Sequence, residues 1–134
     1  MSFEAIISGA MPCYKIAENE SFLAFLEKAP LALGHTLVIP KKKVESIFEM
    51  EDVALSEMHI FAKEVALKLE LAIPCRRIGM AVIGLEVPYA HIHLIPLQTV
   101  EDIDFTRKKL SPTEEALKAV HEQIMSKDMN GTNG

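Results

Sequence analysis

The sequence predicts an α+β fold with a mainly antiparallel sheet, a long central helix and a C-terminal helix. Two observations predict it. Short β-type runs cluster before residue 40 and again after residue 77, and a long stretch of helical period separates the two clusters. Clustered strands with helices gathered on one face belong to the α+β class, whereas a doubly wound parallel sheet alternates strand and helix throughout.

Residues 14–18 and 22–26 read as two short strands around the break at Asn19-Glu20. Residues 35–39, rich in β-branched side chains, form a third, which Pro40 and the Lys41-Lys42-Lys43 run end. From about Asp52 to Ile73 the period changes. Met58, Phe61, Ala62, Val65, Leu69 and Ala72 recur every three or four residues, one apolar stripe along an amphipathic helix that Pro74 stops. A fourth strand is expected around Ile78–Ile83, and Gly84 opens a turn into a fifth β-type run, Val87 to Leu97. Ser111-Pro112-Thr113-Glu114 predicts the last helix: a capping serine, a proline at the first helical position and a capping-box glutamate. That helix should reach about Met125. The expected organisation is one domain over 1–126 and a flexible tail over 127–134, the end of which is rich in Gly and Asn.

Composition limits the functions to consider. A chain of 134 residues that is 49% hydrophobic can bury a core as a single domain. Its formal net charge of -5 argues against nucleic acid or an anionic membrane as the main partner, since both select a broad basic surface. Cys13 and Cys75 are its two cysteines and form no C-x-x-C pair, so neither a disulfide framework nor a thiolate zinc site is expected. Without a secretory leader or a membrane-length apolar run of ~18 residues, the expectation is a cytoplasmic protein.

The chemistry concentrates in the fifth strand. His91 and His93 are two residues apart, so their side chains project from one face of a strand while Ile92 and Leu94 project from the other. Paired imidazoles suit nucleophilic and hydrogen-bonding work at neutral pH. They also suit a metal site, with His35 or Glu86 as a third ligand, and spacing does not separate the two readings.

Val87-Pro88-Tyr89-Ala90-His91-Ile92-His93-Leu94-Ile95-Pro96 resembles the signature of the histidine triad (HIT) family, His-x-His-x-His followed by two apolar residues and commonly a proline. Gly34-His35-Thr36-Leu37-Val38-Ile39-Pro40-Lys41 resembles a second signature, and Ala24-Phe25-Leu26-Glu27 a stretch that usually carries aspartate. The resemblance covers roughly residues 3–105 and is closest to the small, Hint-like branch. Aligned on Pro96, His91 and His93 take the second and third triad positions, while the first falls on Tyr89. Leu85 stands where glutamine is frequent, and Leu97 where arginine often follows the proline.

This resemblance implies a homodimeric nucleotide hydrolase or nucleotidyl transferase acting on a purine nucleotide, at the α-phosphorus of a nucleotide phosphoramidate or dinucleoside polyphosphate, without a cofactor or a metal. His91 would attack the α-phosphorus and form a nucleotidyl-histidine that water hydrolyses. His93 would hydrogen-bond phosphate or bridging oxygens, with His35 supporting the same site. Glu27 would lie near the ribose hydroxyls, and Glu86 and Tyr89 are the further candidate nucleotide contacts. A nucleotide-binding module with little turnover and a histidine-ligated metal hydrolase are the alternatives. The remaining candidates read as ordinary surface. Lys41–Lys43 is a solvated turn, Arg76-Arg77 a strand start, His59 and His121 helix-surface residues, and Cys13 a thiol without a recognisable base.

Overall fold

The computed structural model describes residues 2–127. All but the first residue of the tail expected at 127–134 therefore lies outside the described residues. Five strands form one antiparallel sheet in the order β1-β2-β3-β5-β4. They are β1 (Lys15–Glu18), β2 (Phe22–Leu26), β3 (Thr36–Pro40), β4 (Arg77–Ala81) and β5 (Ile92–Leu97). The α+β expectation holds, with small shifts at strand ends. The larger difference is at β5, which starts at Ile92 and not at Val87. The chain before it departs from β3, and Ala90 N–H donates instead to the Val44 carbonyl (2.7 Å).

Each strand sorts its residues by alternation. Phe22, Ala24 and Leu26 of β2, Val38 of β3 and Ile92 and Leu94 of β5 face one way. The long helix α2 (Asp52–Ala72) fills that side with the predicted stripe, all six residues of which are buried. The C-terminal helix α3 (Glu114–Met125) adds Val120 and Ile124. Its cap is not the expected Ser111. Thr113 is the N-cap, its side chain accepting from Ala116 N–H at 3.0 Å. The segment before it is held away from helical geometry, with Leu110 N–H donating to the Pro30 carbonyl (2.8 Å), so Pro112 precedes the helix.

Leu23 and Phe25 of β2 and Leu37 and Ile39 of β3 face the opposite side with Tyr89. A short helix, α1 (Phe3–Ser8), covers them with Phe3 and Ile6. Ser2 caps its start and Gly9, at φ +88°, ends it in the left-handed region. Helical periodicity cannot reveal an element of six residues, and the sequence reading placed none there. The described residues include no helix long and apolar enough to cross a membrane.

Candidate active site

The site is assembled on the α1 side of the sheet. His93 in β5 is paired with Leu37 in β3, and His35 lies two residues before Leu37 on the same face. The two imidazoles therefore meet across the strands. Gly34 is what lets the chain turn there. It sits at φ +99°, and a Cβ on it would collide with the side chain of Ile73. Glu27 continues the Leu23-Phe25 face at the end of β2, and its N–H donates to the His35 carbonyl (2.9 Å).

These groups line a cleft of about 190 Å³ that includes Phe3, Glu27, Glu86, His91, His93 and Lys109. His35 lies behind it, 1% exposed, while His91 and His93 are 5% and 8% exposed. A larger groove of about 650 Å³ runs between the ends of β2 and β3 and the start of α2. It is lined by Lys41, Lys42 and several glutamates and holds none of the histidines, so the smaller cleft is the candidate site.

Hydrogen bonds fix the tautomers. His91 Nδ1 lies 2.6 Å from the Tyr89 carbonyl, which can only accept. Nδ1 therefore carries the proton, and Nε2 keeps a lone pair. At the other end, Leu31 N–H donates to His35 Nδ1 at 3.0 Å. His35 must then carry its proton on Nε2, which lies 3.0 Å from His93 Nδ1 and donates to it. That leaves His93 with its proton on Nε2. The cleft thus receives one nucleophilic nitrogen, from His91, and one N–H donor, from His93.

The chain from Leu31 ends on a main-chain amide, which cannot give up its proton at physiological pH. His93 is accordingly a fixed hydrogen-bond donor and not a proton shuttle. Burial, the neighbouring imidazoles and the Lys109 charge push His35 down to about 3, and burial, His91 and Lys109 do the same to His93. Both rings are therefore neutral at pH 7.

Tyr89 takes part through its carbonyl, while its side chain points elsewhere. The phenol donates to the Pro40 carbonyl at 2.6 Å, and burial followed by the charge of Glu4 pushes it up to about 12. Phe3 packs edge-on against both Tyr89 and His91, with ring centroids 5.3 and 5.4 Å apart. Glu86 lies at the rim, where Lys109 Nζ reaches its two carboxylate oxygens at 3.2 and 3.1 Å.

Phe3, Phe105, Lys109 and the Leu31 amide were missed from the sequence. The first lies in the unannounced helix, and the next two in a segment that reads as a connector. A main-chain donor has no sequence signature at all. Away from the cleft, His59 bonds to Leu55 O and His121 to Lys15 O. Among the described residues, no group of three or more His, Cys, Asp or Glu side chains is arranged to hold a metal ion. His35 and His93 spend on each other the nitrogens with which they would share one.

The HIT domain family profile matches residues 8–100. An adenosine 5'-monophosphoramidase of Schizosaccharomyces pombe is 33% identical over 130 residues, covering 93% of this chain and 96% of that protein. Among solved structures, a hypothetical histidine triad nucleotide-binding protein of Sulfolobus tokodaii superposes with a TM-score of 0.78 at 26% identity. That match covers 95% of this chain and 91% of the other. A zinc-bound histidine triad family protein of Mycobacterium smegmatis gives a TM-score of 0.75 at 25% identity, covering 92% of each chain.

Proposed function

The chain belongs to the HIT domain family, and on that premise we propose that it cleaves a purine nucleotide at the α-phosphorus through a nucleotidyl-histidine. The observation that carries this reading is the bond from His91 Nδ1–H to the Tyr89 carbonyl, which leaves Nε2 as a nucleophile. In the first step an Nε2–P bond forms and the bond from phosphorus to the leaving group breaks, the leaving group departing with the electron pair. In the second, water attacks phosphorus and gives up a proton to solvent, the Nε2–P bond breaks, and the electron pair returns to the ring. The products are the nucleoside monophosphate and the regenerated imidazole.

His93 Nε2–H donates to the phosphate oxygens as charge develops, and His35 is a positioning residue that keeps that proton on Nε2. Glu27, which lines the cleft just after β2, accepts from ribose hydroxyls. Glu86 acts at the rim, and Tyr89 acts through its carbonyl. We place the domain at residues 1–126 in the Hint-like branch, with Tyr89 in the first triad position. Two free thiols support a cytoplasmic setting.

We also propose that two copies join along β4, the sheet's edge strand. Met80, Val82 and Ile83 are exposed there, and Ile60, Leu67 and Leu71 are exposed on the neighbouring helix α2. A strand edge beside an apolar stripe pairs with its own copy about a two-fold axis. Sedimentation at the mass of one chain would overturn this.

Intact-protein mass spectrometry during turnover of adenosine 5'-phosphoramidate tests the mechanism. The expected result is a transient adenylyl adduct that maps to His91 and is absent from His91→Ala. AMP binding with neither adduct nor turnover would establish the nucleotide-binding module instead.

A further inference from the structure

We propose that Lys109 is an anion site for the departing group, and that the favoured substrate releases a phosphate-bearing leaving group rather than an amine. The inference rests on the nucleotide reading above and names its substrate class. Lys109 stands in the cleft with His91 and His93, carried by the segment that follows the 8–100 span of the family profile. The segment carrying it is built into the site. Phe105 packs edge-on against the His93 ring, with centroids 4.6 Å apart. Leu110 N–H donates to the Pro30 carbonyl, while the N–H of that same peptide group, on Leu31, donates to His35. One peptide unit thus anchors the Lys109 segment and starts the chain of bonds that ends at His93. Hydrogen bonds through a shared peptide polarise one another in the same direction.

Two independent features point to the leaving group. Lys109 lines the same cleft as His91 and His93, and its charge helps lower the pKa of His93 and of His35 behind it. His93 is the donor proposed above for the phosphate oxygens, so a cation in the same cleft is available to the charge of the group that departs from that phosphorus. The site also lacks a proton to give that group. His93 cannot be resupplied through His35, and the Tyr89 phenol is committed to Pro40. An amine is a poor leaving group until protonated, which here falls to solvent, whereas a phosphate leaves as an anion and is helped by a compensating positive charge. Lys109 supplies one. In the free protein Glu86 holds it, with its side chain 75% exposed. An exposed pair of this kind is weak and easily exchanged for phosphate oxygens.

The test compares kcat/KM for diadenosine tetraphosphate and for adenosine 5'-phosphoramidate across variants. Lys109→Gln should lower the value for the polyphosphate by about tenfold or more and for the phosphoramidate by less than about threefold, with Tm unchanged. Lys109→Arg should restore most of the loss, and Glu86→Gln, which frees the lysine, should raise the polyphosphate value a few-fold. Equal effects on the two substrates would overturn the proposal while leaving the His91 mechanism intact. So would a wild-type protein that turns over the phosphoramidate alone. A wild-type protein that neither binds AMP nor turns over either substrate would remove both readings.

Discussion

The two faces of the sheet are made by the same strands and serve opposite purposes. On the α2 side the alternate residues are mostly apolar, buried Thr36 being an exception, and a helix of 21 residues covers β2 to β5 while α3 packs on β1. On the other side the cover is a helix of six residues and the segment around Phe105 and Lys109, and the gap between them is the cleft. Three histidines are buried on that side, and the interior accepts them because each is hydrogen-bonded to a defined partner. One face buys stability with area. The other holds polar groups in a single protonation pattern.

That division is open to a pair of substitutions with crossed outcomes. Leu69→Ala, at a fully buried position on α2, should cost about 2–5 kcal/mol and lower Tm clearly, while kcat per folded molecule stays near wild type. His91→Ala should leave Tm within a few degrees and AMP affinity within about an order of magnitude, but reduce turnover by about a thousandfold or more. Thermal melts beside active-site-normalised kinetics measure both. Comparable loss of activity in both variants would mean that the faces are not separable.

Acid should act on the two faces unequally. An imidazole in the unfolded chain titrates near 6.5, whereas His35 and His93 are held down to about 3 in the fold. Above pH 6.5 both states are neutral and stability is complete. As pH falls below 6.5 the unfolded chain takes up protons that the folded protein refuses, so stability is lost progressively toward pH 3. The loss is up to about 1.4 kcal/mol per pH unit for each imidazole. Urea denaturation at pH 7.5 and 5.5 reads the effect above the range in which most carboxylates titrate. His93→Gln should flatten the slope, and an unchanged slope would show that these rings do not set it.

The apolar face was legible in the sequence because its signals are repetitive. The Met58-to-Ala72 stripe repeats at helical period, and Ile92 and Leu94 alternate with the histidines. The site was legible only where side chains carry it. His91 and His93 follow from two-residue spacing. His35, 58 residues from His93, came from resemblance to a known signature and not from pattern. The Leu31 amide and the Tyr89 carbonyl were not legible, since every residue but proline has the same donor and every residue the same acceptor. Phe3 and Lys109 were missed because a six-residue helix and an irregular connector leave no periodic trace. The sequence favours Ser111 as the cap because Glu114 completes a capping box with it while Ala116 offers none to Thr113, and the tertiary tie of Leu110 to Pro30 decides otherwise.

The smallest effect should come from the residue whose side chain and main chain do different things. Tyr89→Phe deletes the phenol's bond to the Pro40 carbonyl, a loss of about 1 kcal/mol. It leaves the carbonyl that accepts from His91 Nδ1 in place, and Phe3 still has a ring to pack against. Turnover should therefore stay within about threefold of wild type, an effect well below that of His91→Ala. Tyr89→His should behave alike, because a peptide carbonyl is indifferent to the side chain beyond it. The informative comparison is again between leaving groups. If the position only orients His91, both variants should scale the phosphoramidate and the polyphosphate by the same factor. A gain in Tyr89→His confined to the phosphoramidate would mean that an imidazole there delivers the proton the wild-type site lacks. Position 89 would then choose between leaving groups from one side of His91 as Lys109 does from the other.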